Sequence, residues 1–339
     1  MEDQVCSHAV TVAKATGRGW IVSPAFDLLF LANLGWLLLL LPGFATPFDT
    51  AIDFWQIYFL TLPHRWITLV LVLTDPDSRD GRGYRLGFVA AAFAVLVAGA
   101  FLGTGAFLCL AMIDYVWNSW HFASQHSGVL RIYSRNVGGG YDFLERWGLR
   151  GFITYGALRA AGWATGWIEA DGIYLVWLHT ADLLLLLVPI SLLLTNLIGA
   201  SRDRIGKLAY LTSVCLLYSG FILSLRFGWG QGIVVFAAAG SMFHAVEYLA
   251  IVTHYATRRE TVGSESPFRS LARSWLLFLG LYLLVLGSLG AWMSLPENGF
   301  VVLWQGLNLW MAFVHYAYDG MIWKLRRPAT AAALGVTAT

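Results

Sequence analysis

The chain has 339 residues, of which 58% are hydrophobic and only 12% are charged, whereas about 25% of the residues of an ordinary soluble protein are charged. Because so few charges cannot cover a folded surface in water, the composition predicts an all-α, polytopic integral membrane protein. A net charge of +2 gives no general basic field, which excludes nucleic acid as a partner. Three widely spaced cysteines exclude a thiolate metal site.

Apolar runs long enough to cross a bilayer recur along the whole chain. One crossing of the hydrocarbon core takes about 20 helical residues, and ten runs approach that length. We therefore expect residues 1–23 to form an N-terminal segment, residues 24–327 a single transmembrane helical domain, and residues 328–339 a disordered C-terminal tail. The ten predicted spans are Pro24–Pro42, Phe54–Thr74, Tyr84–Leu102, Gly105–His126, Gly151–Trp167, Gly172–Ile198, Lys207–Leu225, Gln231–Thr257, Ser274–Leu295 and Gly299–Lys324.

Basic residues alternate along the chain with their near absence from one connection to the next. The connection before Tyr84 contains Arg79 and Arg82, for example, whereas the one before Phe54 contains Asp49 and Asp53. By the positive-inside rule this alternation predicts that both termini and the long loops are cytoplasmic, in the cytoplasmic (inner) membrane of the cell. Omitting the fifth span would invert the pattern, so we retain that span although Arg159 interrupts it.

The histidines are distributed in a regular way. His8 precedes the first span, and the other seven all fall on even-numbered spans. Even-numbered spans run in the same direction, so residues at similar distances from their starts lie at similar depths. At about 1.5 Å per residue, four histidines share a layer roughly 9 Å thick, and we expect them to meet. They are His64, His121, His244 and His315, whereas His126 and His254 lie nearer the cytoplasmic ends and are only possible additional ligands.

Carboxylates and a tyrosine accompany these histidines. Charged side chains at the bilayer centre cost at least about 2.5–3.5 kcal/mol each, so a group of them implies pairing or a ligand. Helical spacing places each of these carboxylates and the tyrosine beside a histidine of its own span, or on the same helical face as one. The candidate catalytic residues are Asp114, Glu247, Tyr248 and Asp319, of which the carboxylates are also alternative or indirect metal ligands.

Imidazole with a small number of carboxylates suits iron(II), zinc or copper(II). Iron is the leading candidate because a buried redox metal serves oxygen chemistry on molecules that dissolve in lipid, whereas zinc hydrolysis needs water at that depth. The sequence leaves open a mononuclear or a dinuclear site. It favours a membrane-bound, iron-dependent oxygenase or related oxidoreductase, whose partners are membrane lipids and a lipophilic substrate such as an isoprenoid, a carotenoid or an acyl lipid.

The segment Trp117-Asn-Ser-Trp120-His121 and the histidines on separate spans carry a resemblance in general plan. In this plan the chain resembles polytopic non-haem iron oxygenases of the Brp/Blh carotene dioxygenase type. The resemblance implies a helix bundle in the cytoplasmic membrane with iron held by histidines, and oxygenation of a lipid-soluble substrate.

Two other functions stay open at this point. Buried Asp, Glu and His residues also mark the path of a proton- or ion-coupled transporter. The segment from His244 to Tyr248 resembles the HxxxY element of haem–copper oxidases, which implies a haem-binding membrane protein.

Overall fold

The computed structural model describes residues 19–41, 54–164, 173–198, 201–261 and 266–336, and regular structure within these ranges is entirely helical. The remaining residues, including His8 and the ends of several predicted spans, lie outside the described part. The long helices of the described ranges are α1 Phe54–Thr74, α2 Gly83–Thr104, α3 Leu108–Val137, α4 Leu149–Ala164, α5 Ile173–Leu197, α6 Ile205–Arg226, α7 Gly230–Thr261, α8 Trp275–Met293 and α9 Val301–Ile322.

Six of these helices, α1, α2 and α5 to α8, are long and apolar enough to cross a membrane, so the chain has the helices of a membrane protein. Each predicted span from the second to the tenth overlaps one long helix. Helices α3 and α9 are less apolar because they carry polar residues such as Asp114 and Asp319, and α4 has only 16 residues. Length and hydropathy alone therefore do not identify these three helices as spans.

The first predicted span, Pro24–Pro42, is not a continuous helix over its described residues. A single α-helical turn, Pro24–Phe26, passes into the π-turn Asp27–Leu31, and a 3₁₀ helix, Leu34–Leu40, follows Asn33, which has a left-handed φ of 44°. The buried Asp27 carboxylate accepts hydrogen bonds from the Ile21 backbone and the Tyr133 hydroxyl, both at 2.7 Å. These bonds hold the broken segment against α3, so the prediction of an unbroken helix is wrong here.

The C-terminal segment also differs from the prediction of a disordered tail. Residues Pro328–Ala333 form a short helix, and Ala331, Leu334 and Val336 are buried against the main core. Small apolar side chains let this segment pack closely, which a composition argument does not detect. Residues 337–339 lie outside the described part.

Helices α6 and α7 form the centre of the bundle and are mostly buried, whereas α2, α5 and α8 expose most of their surface. Four of the long helices pack around a common region. Each packs against two others of the set, in the cyclic order α1, α9, α3 and α7. Since each of the four carries one of the mid-depth histidines, this packing places the site.

Candidate metal centre

The four predicted histidines meet at the centre of the described bundle. Their imidazoles form a closed ring in the order His64, His244, His121 and His315. Neighbouring ring centroids are 4.7–5.1 Å apart and their planes are inclined by 71–90°. All four are buried. We call this arrangement the histidine ring.

Most ring nitrogens of this cluster lack a hydrogen-bond partner among the described residues. They are both nitrogens of His64, both of His244, and Nε2 of His121 and of His315. An unsatisfied buried polar group costs about 1–3 kcal/mol, so six together are expensive. A neutral imidazole has one lone pair and one N–H, so the four rings offer four lone pairs, which are suited to a cation.

The spacing of these atoms agrees with metal binding. Donor atoms of His64, His244 and His315 lie within 4.8 Å of one another, and so do those of His121, His315 and Asp319. Two ligands at about 2.1 Å from one ion are at most about 4.2 Å apart, so only a small contraction is needed. His315 belongs to both groups, but with one nitrogen lone pair it can bind an ion in only one of them.

Asp319 lies between the histidine ring and a chain of hydroxyl groups. Its Oδ2 is 3.7 Å from His315 Nε2 and 3.8 Å from His121 Nε2. Its Oδ1 accepts a hydrogen bond from the Tyr248 hydroxyl at 2.8 Å. The predicted roles of Asp319 and Tyr248 therefore fall at this site, with Asp319 near enough to serve as a ligand after a small movement.

Thr68 connects this chain to His315, and sequence reasoning did not single it out. The Thr68 hydroxyl is 2.7 Å from His315 Nδ1 and 2.6 Å from the Tyr248 hydroxyl. With Nδ1–H donating to Thr68, the His315 Nε2 lone pair faces the ring, which is the tautomer that a metal ligand requires. The sequence feature that could have identified Thr68 is its position, four residues after His64 on the same helical face.

Other contacts fix the remaining imidazoles. Phe122 stacks on the His244 ring, with centroids 3.9 Å apart and planes inclined by 16°. His64 follows Pro63, whose carbonyl accepts a hydrogen bond from the Tyr282 hydroxyl at 2.7 Å. A π-turn, Ile57–Thr61, precedes this proline. Proline removes a helical hydrogen bond and π-turns widen the helix, so the backbone around His64 is adjusted at the site.

The structure does not bring Glu247 to the histidine ring. Its carboxylate is buried in a second network, 2.6 Å from both the Tyr210 hydroxyl and Gln125 Nε2, and 3.2 Å from His126 Nδ1. One helical turn separates His244 from Glu247, but the side chains diverge: His244 lies against His64 of α1, whereas Glu247 pairs with side chains of α3 and α6. Glu247 is in neither ligand group of the described residues, so the prediction that it contributes a ligand beside these histidines is not supported.

The two additional histidines also lie outside the ring. His126 uses Nδ1 with Glu247 and Tyr210, and Nε2 with the Tyr218 hydroxyl at 3.2 Å, so both of its nitrogens are occupied. His254 lies ten residues beyond His244, about 15 Å along the helix. Neither contributes to the ligand groups found among the described residues, so their predicted role as additional ligands is not supported.

Asp114 is connected to the histidine ring through Tyr316. It accepts a hydrogen bond from the Tyr316 hydroxyl at 2.9 Å, and the Tyr316 ring lies 4.9 Å from that of His121. The Arg65 guanidinium lies over the Tyr316 ring, 5.8 Å from its centroid. Asp114 is in neither ligand group of the described residues, so of its predicted roles that of an alternative direct ligand is not supported, whereas an indirect role stays a prediction.

A cavity of about 730 Å³ opens beside the histidine ring. Its inner end is lined by His121, Tyr248, Tyr316 and Asp319, and its outer end by basic residues of three segments. A molecule of moderate size can therefore reach the side of the ring where Asp319 lies. Comparison of the chain with families of known proteins, with curated proteins and with solved structures finds no match.

Proposed function

We propose that this chain is an integral membrane metalloenzyme, an iron-dependent non-haem oxygenase or related oxidoreductase that acts on a lipophilic substrate. It crosses the cytoplasmic membrane ten times, with both termini in the cytoplasm. The observation that carries the proposal is the histidine ring, in which four helices each place one buried imidazole around a common point. In general plan this enzyme resembles the Brp/Blh carotene dioxygenases.

The unpartnered nitrogens support a metal ion over a purely structural polar core. A structural core pairs its donors and acceptors, as the Glu247 network does with Tyr210 and His126. The histidine ring leaves six nitrogens without such partners. Coordination of a cation uses one lone pair of each imidazole directly, and the Thr68 contact to His315 is the kind of outer contact that orients a metal ligand.

Iron fits the donor set and the surroundings best. Imidazoles with one nearby carboxylate are typical of non-haem iron, and the neighbouring cavity is lined largely by aromatic and aliphatic side chains. Iron in this site supplies oxygen chemistry. In the dioxygenase form of the reaction one carbon–carbon double bond breaks, two carbonyl groups form and both atoms of O₂ enter the products, so no additional reductant is required.

The side chains of the chain have separate roles in this proposal. His64, His121, His244 and His315 hold the ion, and Asp319 is the nearest further ligand. Tyr248 donates to Asp319 and holds that carboxylate in place. The aromatic walls of the cavity exclude water and align the substrate beside the ring.

A proton-coupled transporter is the second candidate, and one observation favours it. His315, Thr68, Tyr248 and Asp319 form a continuous chain of hydrogen bonds, and such chains conduct protons in transporters. In that case the histidine ring would hold protons and no metal. The histidine ring disfavours haem. Each imidazole lies between two other imidazoles, so no flat space for a macrocycle remains between them.

The test is the metal content and visible spectrum of the protein purified in detergent, with His244→Ala and His315→Ala variants. We expect bound iron without a Soret band, and loss of that iron in both variants. His179→Ala is the matched control, because His179 lies on α5 outside the ring, and it should retain the iron. A Soret band would indicate haem, and a protein without metal whose folding is intact would support transport. Unchanged iron in both ring variants would refute the proposed ligands.

A further inference from the structure

The cavity beside the histidine ring follows one face of α3. His121, Gln125, Gly128, Ile132 and Arg135 line it in succession, at spacings of three or four residues that keep them on one side of the helix. His121 and Arg135 are 14 residues apart, which corresponds to about 21 Å along the helix axis. The cavity thus connects the ring to the end of α3 over the length of an extended lipid chain.

Along this length the walls change from apolar to cationic. Trp117 and Trp120 lie beside His121 at the inner end, the Trp147 ring lies 6.2 Å from that of Trp120, and Val129, Ile132 and Ile251 also line the cavity. Tryptophan and branched aliphatic side chains favour a hydrocarbon chain over a polar molecule. A small water-soluble substrate would leave most of this surface unused.

The outer end, which we call the cationic mouth, is formed by three segments that are distant in sequence. They supply Arg131 and Arg135 from α3, Arg146 before the start of α4, and Lys324 and Arg326 after α9. Among the described residues lining the cavity, Asp319 is the only acidic one, and it lies at the opposite, inner end. Arg131 is compensated by an ion pair with Asp142 outside the lining.

Positive charges face one another in the cationic mouth. The Arg150 guanidinium lies nearer the histidine ring, 5.7 Å from the Trp120 ring and 5.3 Å from the Trp147 ring, and its buried Nε has no hydrogen-bond partner among the described residues. Burial, followed by the charges of Arg131 and Arg146, lowers the pKa of Arg135. An anion at this position would relieve that repulsion and accept the donors.

We infer that the cavity binds a single-chain amphiphile with a phosphate or diphosphate headgroup, held at the cationic mouth while its hydrocarbon chain extends toward the histidine ring. This inference rests on the proposed function and names its substrate class. A phosphate monoester carries about two negative charges and three acceptor oxygens, which matches several convergent guanidinium groups better than a single carboxylate does. An isoprenyl or alkyl phosphate has this chemistry.

The test uses the full chain in phosphatidylcholine nanodiscs without added metal. Tryptophan fluorescence is titrated with dodecyl phosphate, dodecanol and inorganic phosphate, because four tryptophans line the cavity. We expect saturation with dodecyl phosphate at a concentration at least about tenfold below that for dodecanol, the effect of a charge-assisted hydrogen bond. Inorganic phosphate alone should produce no saturation in this range.

Two variants locate the headgroup. Arg146→Gln combined with Lys324→Gln removes charges from opposite segments of the cationic mouth, and we expect the affinity for dodecyl phosphate to fall about tenfold or more. Arg79→Gln is the matched control, since Arg79 is exposed and lies outside the cavity lining. Equal effects of the two changes would show attraction by the whole surface and would overturn the inference, as would equal affinity for dodecanol or saturation by inorganic phosphate.

A further probe locates the chain and the source of the headgroup. Dodecyl phosphate brominated at its chain end should quench Trp117, beside the ring, so that Trp117→Phe removes a larger part of this quenching than of the quenching by a probe brominated next to its headgroup. The opposite pattern would overturn the orientation. If nanodiscs containing phosphatidylglycerol abolish dodecyl phosphate binding, the cationic mouth is a site for bilayer headgroups and the inference fails.

The result is separable from the proposed metal chemistry. His244→Ala should lose iron yet bind dodecyl phosphate as the unmodified chain does, because His244 does not line the cavity. Binding of the amphiphile without any iron in the unmodified protein would refute the proposed function alone. Bound iron without selective amphiphile binding would refute this inference alone.

Discussion

Replacement of Thr68 by valine is the most direct test of how the histidine ring is held. The Thr68 hydroxyl is 2.7 Å from His315 Nδ1 and 2.6 Å from the Tyr248 hydroxyl. Valine has nearly the same shape but replaces the hydroxyl with a methyl group. His315 Nδ1 then faces an apolar group, and Tyr248 keeps its bond to Asp319.

The expected effect on metal binding follows from this geometry. A buried imidazole nitrogen left without its partner costs about 1–3 kcal/mol, and Thr68 is completely buried. Loss of an outer contact to a metal-binding histidine lowers metal affinity by about 10–100-fold, or about 1.4–2.8 kcal/mol. The two ranges overlap, so we expect Thr68→Val to weaken iron binding by this factor without unfolding the bundle.

The measurement is an iron(II) titration of the detergent-purified protein under anaerobic conditions, in competition with a chromogenic chelator. Thr68→Ser keeps a hydroxyl and should restore most of the affinity. Thr74→Val is the control on the same helix, because the Thr74 hydroxyl donates only to the Val70 carbonyl, at 2.7 Å. Tight iron binding by Thr68→Val, equal to that of the serine and control variants, would refute the orienting role of Thr68.

Two further substitutions separate the histidine ring from the other buried polar networks. Glu247→Gln should retain full iron stoichiometry and lower the melting temperature, because its buried carboxylate accepts short bonds from Tyr210 and Gln125; loss of iron would instead return Glu247 to the ligand set. Asp182→Asn should destabilise the protein by about 3–5 kcal/mol, since it leaves the Arg159 charge buried without its carboxylate. Thermal unfolding in detergent measures this effect, and an unchanged melting temperature would contradict it.

Much of the site could be predicted because lipid imposes simple rules on sequence. Polar residues are costly in a bilayer, so the mid-depth histidines stand out, and counting residues along helices of one direction estimates their depth. The structure brings His64, His121, His244 and His315 together at the centre of the described bundle. The same reasoning cannot give the angular position of a side chain around a helix axis relative to its neighbours.

That angular information decides the difference between Asp319 and Glu247. Each follows a ring histidine by about one helical turn, and the sequence treats them alike, yet Asp319 faces the ring and Glu247 faces Tyr210. Which neighbours surround each helix determines this outcome, and that is a property of the packed bundle.

The sequence by itself determined that this chain has helices apolar enough to cross a membrane, and which histidines lie at similar depths. Hydropathy and helical rise are local properties, which is why the sequence is sufficient for both. Only the tertiary structure decided that Thr68 holds His315, that Asp27 anchors a broken first segment to α3, and that the cationic mouth opens into the cavity beside the ring. Each of these depends on contacts between segments far apart in the chain, which the order of residues does not specify locally.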